Sequence, residues 1–284
     1  MILLTGAGGK TGRTLIKALS KVESVCAFVH REEHVAVVKS LGAEKVIVGD
    51  MHDKSSIHSA TQGARAVYHI CPNMNPYEAV IGNLVIDAAC TVGVEHFVYH
   101  SVLHPHTEKM KHHWQKMRME EMIFESGLLF TILQPAPYMQ NLLAGWKSIT
   151  EDGVLRVPYS VNSKFSFVDL EDVAEVASIV LTEPNHINAI YELAGTRPLS
   201  HVEVAEIFSR TLNRDVWVEQ EEIRDWRLRT KGMSEYAVEN LVKMFEYYDQ
   251  WGLMGNPNVL RWLLQREPTT LKAFVENIKE RDIN

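Results

Sequence analysis

Glycines at positions 6, 9 and 12 stand three residues apart in the run Thr5-Gly6-Ala7-Gly8-Gly9-Lys10-Thr11-Gly12. Missing side chains at that spacing let a strand-to-helix turn close tightly, so that backbone N–H groups at the positive end of the helix can approach a pyrophosphate. The context suits this chemistry: an apolar run, Ile2 to Leu4, precedes the glycines, and residues 10–21 carry apolar side chains at helical spacing. Gly6, Gly8, Gly9, Lys10, Thr11 and Gly12 are therefore the candidate phosphate-binding residues. The string Gly9-Lys10-Thr11 also resembles the end of a triphosphate-binding loop. That loop requires glycine five positions before Gly9, where Leu4 stands, so it is too short to wrap a triphosphate.

A second apolar run ends in Phe28-Val29-His30-Arg31. An NAD site usually offers an acid here to the ribose hydroxyls, whereas a guanidinium can pair with the 2′-phosphate of NADP and stack on adenine. Glu32 and Glu33 follow at once, and Lys10 and Arg13 are further sources of positive charge. The missing acid favours NADP(H) over NAD(H), with Arg31 on the phosphate. Asp50 and Met51 close a third run; Asp50 either accepts a bond from the adenine amine or caps a helix starting near Asp53.

These residues need a scaffold of alternating strands and helices. Strand-like runs at 2–5, 25–30, 45–48, 66–71, 96–101 and 130–134 alternate with helical patterns at 10–21, 32–41, 53–61, 77–92 and 108–126. Such alternation predicts βαβ crossovers and an α/β doubly wound parallel sheet, here of six strands. Beyond Pro135 the pattern is less regular: 153–168 reads as extended, 170–181 as helix and 189–193 as a strand. Residues 1–150 are expected to form the dinucleotide-binding domain, with segments of 151–195 completing the sheet. Residues 196–284 are expected to form a smaller, mostly helical portion that shapes a substrate pocket. Trp217, Trp226, Trp251 and Trp262 in that portion are assigned to packing first.

Composition narrows the function further. A chain of 284 residues, 46% hydrophobic and 23% charged, can bury a substantial core, which excludes a disordered segment. The net charge of -7, without any basic cluster, argues against direct binding of nucleic acid. No apolar run approaches the roughly 20 residues that a membrane-spanning helix needs, and no secretory signal opens the chain. Cys26, Cys71 and Cys90 are not spaced as metal ligands or as a disulfide framework and read as buried thiols in a reducing, cytoplasmic setting. His96, His100, His104, His106, His112 and His113 crowd one region, but no acids or cysteines fall at matching spacing, so no metal is expected.

Taken with Gly49-Asp50, the run Tyr99-His100-Ser101-Val102-Leu103-His104, Lys116 with Glu120, and the segments 135–141 and 167–174, the glycine-rich turn carries a resemblance over nearly the whole chain. The sequence resembles the NmrA-like group of atypical short-chain dehydrogenases, which includes NAD(P)H-dependent quinone reductases, triphenylmethane-dye reductases and redox-sensing regulators. Ordinary short-chain dehydrogenases use a serine after the fifth strand and a Tyr-x-x-x-Lys pair on the next helix. Ser101 and Lys116 match two of these positions, and His112 takes the place of the tyrosine. His112 and Lys116 lie four apart and so share a helical face.

The resemblance implies that Lys116 holds the nicotinamide ribose, and that His112 either supplies a proton as a group titrating near neutrality or is an exposed helix residue. Pro135 and Tyr138, at the carboxyl edge of the sixth strand, are expected to border the nicotinamide and an aromatic acceptor. Gln134 stands where the family usually has arginine. Asp172 is read as a cap or anchor. The preferred function is hydride transfer from NADPH to a small conjugated acceptor such as a quinone, with Ser101, His112 and Lys116 as the candidate catalytic residues. The alternative is a non-enzymatic NADP(H)-binding redox sensor acting through a protein partner; a homodimer is compatible with either.

Overall fold

The computed structural model describes residues 1–283. In its first half, β1 (Ile2–Leu4) leads into α1 (Lys10–Leu19), β2 (Val25–Val29), α2 (His34–Ser40), β3 (Lys45–Val48), α3 (Lys54–Thr61), β4 (Ala66–His69), α4 (Glu78–Val92), β5 (His96–His100), α5 (Lys111–Glu125) and β6 (Phe130–Pro135). There follow β7 (Val154–Val157), β8 (Lys164–Phe165), α6 (Leu170–Thr182), β9 (Ala189–Leu193), β10 (Leu199–Ser200), α7 (His201–Leu212), β11 (Trp217–Gln220), α8 (Ile223–Arg227), α9 (Glu235–Trp251), α10 (Asn258–Leu264) and α11 (Leu271–Ile283).

The main sheet has seven strands in the order β3-β2-β1-β4-β5-β6-β9, and β1 to β6 pair in parallel. The doubly wound α/β fold is as the sequence implies, with β9 added at the edge of the six strands anticipated. Every residue of β1, β2, β4 and β5 is buried, as strands covered by helices on both faces must be. Strand order reverses between β1 and β4, and at such a switch point the carboxyl ends of the strands leave a crevice for ligands.

Packing divides the chain into two compact units, neither of them one continuous stretch. The first comprises Met1–His106, His112–Gln134 and Val173–Tyr191; the second takes Thr107–Lys111, Pro135–Asp172 and the chain from Glu192 onward. Local signals fix the helix starts. Asp53 caps α3 by accepting from the amides of Ser55 and Ser56, and Ser200 with Glu203 forms a capping box on α7. The capping alternative for Asp50 therefore falls, because Asp53 does that work.

Inside the second unit, Tyr159, Phe165, Phe167, His201 and Tyr248 pack edge to face and tilted, with ring centroids 5.1 to 6.2 Å apart. Asp172 anchors this unit: its carboxylate accepts from the Arg266 guanidinium at 2.7 Å and from the Thr269 amide at 2.7 Å. Three expectations need correction. Trp217, Trp251 and Trp262 are at least half exposed, because each lies on the outer face of its element, whereas Trp226 packs edge-on against Phe245 at 4.8 Å. Residues 217–220, within the portion expected to be mostly helical, form a strand that pairs in parallel with β7. Cys26 and Cys71 are buried as anticipated, whereas Cys90, on the outer side of the last turn of α4, is exposed.

Buried histidines make stability depend on acid. Burial holds His69 and His100 down to about 3 and His96, His113 and His201 to about 4. Below about pH 6.5 the unfolded chain takes up protons that the folded state refuses, so folding free energy is lost as the pH falls from there toward 4. Each such histidine contributes a slope of up to about 1.4 kcal/mol per pH unit. The urea midpoint should fall steeply between pH 7 and 5, and a midpoint level across that range contradicts this.

Candidate functional site

The glycine turn lies where β1 meets α1, at the switch point of the sheet. The Thr5 amide donates to Tyr68 O at 3.1 Å, and the Thr5 hydroxyl sits 2.8 Å from His69 Nδ1, which ties the ends of β1 and β4 together. Gly6 adopts a φ of +63°, and a Cβ there would lie 2.8 Å from Ile70 O. At Gly12 a Cβ would lie 2.5 Å from Gly6 O and 2.6 Å from Ala7 Cα, so only glycine lets the first turn of α1 sit against the loop. Gly9 is open, its nearest neighbour being Gly6 O at 3.5 Å. The first helical bond runs from the Arg13 amide to Gly9 O, which leaves the amides of Lys10, Thr11 and Gly12 ahead of the helical ladder. This cradle fits a dinucleotide diphosphate.

The remaining candidates are divided between the two units. Arg31 is exposed and its guanidinium meets Glu33 at 3.1 Å, while the His34 ring covers Gly8, 2.2 Å from where a Cβ would stand. Asp50 is exposed and accepts from the His52 amide at 2.9 Å. Met51 is buried with the apolar core of the first unit, so its side chain is taken up by packing. In the second unit, Pro135 is buried and Tyr138 half-buried, and Tyr138 bridges to Val168.

The carboxyl ends of β4 and β5 meet the polar faces of α4 and α5. Gly82 on α4 lets Met119 of α5 lie against the helix, since a Cβ there would fall 1.8 Å from the Met119 sulfur. That close approach brings Glu78, in the first turn of α4, to Lys116: Nζ lies 2.5 Å from Oε1, with both side chains buried. The Tyr99 hydroxyl donates to the same oxygen at 2.9 Å, and the ammonium stands 5.2 Å from the Tyr99 ring centroid and 3.4 Å from His100 O. Burial and the neighbouring Glu78 push the Tyr99 phenol well above its ordinary range, so it remains a neutral donor. Glu78 Oε2 is buried without a hydrogen-bond partner.

One turn beyond Lys116, Glu120 accepts from the Ser101 hydroxyl at 2.5 Å and from Gln134 Nε2 at 2.9 and 3.0 Å. Burial raises the Glu120 carboxyl, while these bonds oppose the rise. Gln134 thus meets both oxygens of the carboxylate without bringing a charge. His112 is buried, not exposed, and burial with Lys116 nearby holds its ring well below 6.5. The expectation of an imidazole that titrates near neutrality is corrected on that ground: His112 is neutral at pH 7.

Ser101, His112 and Lys116 therefore fall within one unit, on β5's end and one face of α5. The sequence reading missed Glu78 and Tyr99. A lone acid opening an apolar helix looks like dipole complementation, and only the approach of α4 to α5 turns it into an ion-pair partner.

The model of the NmrA-like family matches residues 1–280. The chain belongs to the NmrA-like family. Quinone oxidoreductase 2 of Escherichia coli (strain K12) is 26% identical to this NmrA-like chain over 282 residues, 98% of each. The crystal structure of an NADPH-dependent quinone oxidoreductase from Escherichia coli in complex with NADPH superposes with a TM-score of 0.86 at 25% identity, covering 98% of this chain and all of the other. The NAD(P)H azoreductase of Xenophilus azovorans is 31% identical over 220 residues, 76% of this chain and 75% of that one. Among the described residues of this NmrA-like protein, no helix is long and apolar enough to cross a membrane.

Proposed function

We propose that the chain is an NADPH-dependent reductase that delivers a hydride to a small conjugated acceptor such as a quinone. The observation that carries the reading is the Gly6–Gly12 cradle at the switch point, where Gly6 and Gly12 close against backbone atoms and the amides of Lys10, Thr11 and Gly12 precede the helical ladder of α1. The two reductases named above, alike over most or all of their length, support it. Bound there, NADPH supplies the hydride.

Gly6, Gly8, Gly9, Lys10, Thr11 and Gly12 seat the diphosphate, Arg31 turns from Glu33 to the 2′-phosphate, and Asp50 accepts from the adenine. Lys116 donates to the nicotinamide ribose with one N–H while Glu78 holds another. Pro135 and Tyr138 border the nicotinamide, and Ser101 and the neutral His112 face the acceptor. Quinones suit a site without the tyrosine acid, because solvent can protonate the product oxygen. Assignment of the cofactor to 1–150 and of acceptor selection to 196–284 belongs to the same proposal, as does work in the cytoplasm, which suits three cysteines outside any disulfide.

NADPH oxidation followed by absorbance with a panel of quinones tests the reading. Turnover with at least one member is expected; protein that binds NADPH tightly yet turns over none overturns the reductase in favour of a sensor. Arg31→Ala should weaken NADPH over NADH by about tenfold or more, as loss of a charge-assisted phosphate bond implies. Equal losses for the two coenzymes in a binding titration reject Arg31 as the phosphate ligand.

A further inference from the structure

We propose that Glu78 is the counter-ion of the nicotinamide site: by pairing with Lys116 it sets how tightly the oxidised coenzyme is held relative to the reduced one. This rests on the reading of Lys116 as the residue at the nicotinamide ribose. Oxidation of NADPH removes a hydride, two electrons with one proton, and leaves the ring with a unit positive charge. An uncompensated ammonium beside the ring opposes that charge in the product and in the transition state leading to it. A buried carboxylate on the same ammonium cancels the opposition.

The geometry gives Glu78 this role. Its Oε1 takes Lys116 Nζ at 2.5 Å and the Tyr99 hydroxyl at 2.9 Å, and the residue has no exposed surface. The other polar groups around the pair add little charge. Burial keeps the Tyr99 phenol and the Cys71 thiol protonated and the His69, His100, His112 and His113 rings neutral near pH 7. Glu120, one turn along α5, is the other acid, and Ser101 and Gln134 occupy its oxygens. Glu78 is thus a positioning and charge-setting residue that acts through Lys116.

A purely structural part for Glu78 makes a different prediction, because loosening the site weakens both coenzyme forms together. Dissociation constants for NADP+ and NADPH, measured by calorimetry, separate the two. Glu78→Gln should raise the ratio of the NADP+ constant to the NADPH constant by about tenfold, as an uncancelled unit charge several ångströms from the ring implies. For this two-electron couple that is a rise of about 30 mV in the bound midpoint potential.

The double variant Glu78→Gln with Lys116→Gln exchanges a neutral pair for a neutral pair and should return the ratio to within about threefold of wild type. If Glu78→Gln does not fold, Lys116→Gln, whose amide can still donate to Glu78, should move the ratio the opposite way. A ratio unmoved by Glu78→Gln, or moved in the same direction by both single variants, overturns the assignment while leaving the cofactor reading intact. Wild-type protein that binds neither coenzyme form overturns the reading on which it rests.

Discussion

Lys116→Met should lower the unfolding free energy by about 3–5 kcal/mol, the usual penalty for stranding one member of a buried ion pair. Methionine fills the volume of the lysine stem but donates nothing, so Glu78 is left with the Tyr99 hydroxyl alone on Oε1 and with Oε2 still unpartnered. The double variant Glu78→Leu with Lys116→Met removes both charges and should recover most of the loss, since an apolar pair of similar volume needs no compensation. Urea denaturation of the four proteins measures the coupling directly. A single-variant loss below about 1 kcal/mol, the range of exposed pairs, contradicts the buried geometry.

The second large effect is on binding. Gly12→Val should weaken NADPH at least about a hundredfold, equivalent to roughly 2.7 kcal/mol, because its Cβ would collide with Gly6 O at 2.5 Å and Ala7 Cα at 2.6 Å. Both are backbone atoms of the glycine-rich loop itself, so relief of the clash must open the loop. Overpacking should also cost about 1–3 kcal/mol of stability. Gly9→Ala provides the contrast: its methyl meets nothing nearer than 3.5 Å, so it costs less stability yet still projects into the space a diphosphate would use. Melting curves beside calorimetric titrations distinguish the two, and a Gly12→Val protein that binds NADPH as the wild type does rejects the cradle.

How much of this was legible in the sequence depends on how local each signal is. The strands β1 to β6 and the helices between them follow from apolar runs and helical spacing, because a parallel sheet buried on both faces writes itself as continuous Val, Ile and Leu. Glycines 6 and 12 were legible for the same reason: their constraint lies within a single turn. Short edge pairings were not, and β11 arises only because 217–220 finds β7 some sixty residues away, which no local pattern records.

The site divides along the same line. Ser101 and Lys116 could be placed through the resemblance, which sets a serine after the fifth strand and a lysine on the next helix, but their partners could not. Glu78 reaches Lys116 only because Gly82 lets α5 approach α4, and Glu120 meets Ser101 only because β5 and α5 lie together. His112 shows the limit most clearly. Its spacing to Lys116 was readable, whereas its burial, and with it a ring held neutral, depends on tertiary packing.

Titration of wild-type protein with NADPH in a calorimeter, repeated for Gly12→Val, tests the central claim most directly. Saturable one-to-one binding by the wild type, lost in the variant while its melting curve remains cooperative, is the predicted result. An absence of binding heat together with unchanged NADPH fluorescence in the wild type would contradict the account, because the turn between β1 and α1 would then grip no dinucleotide.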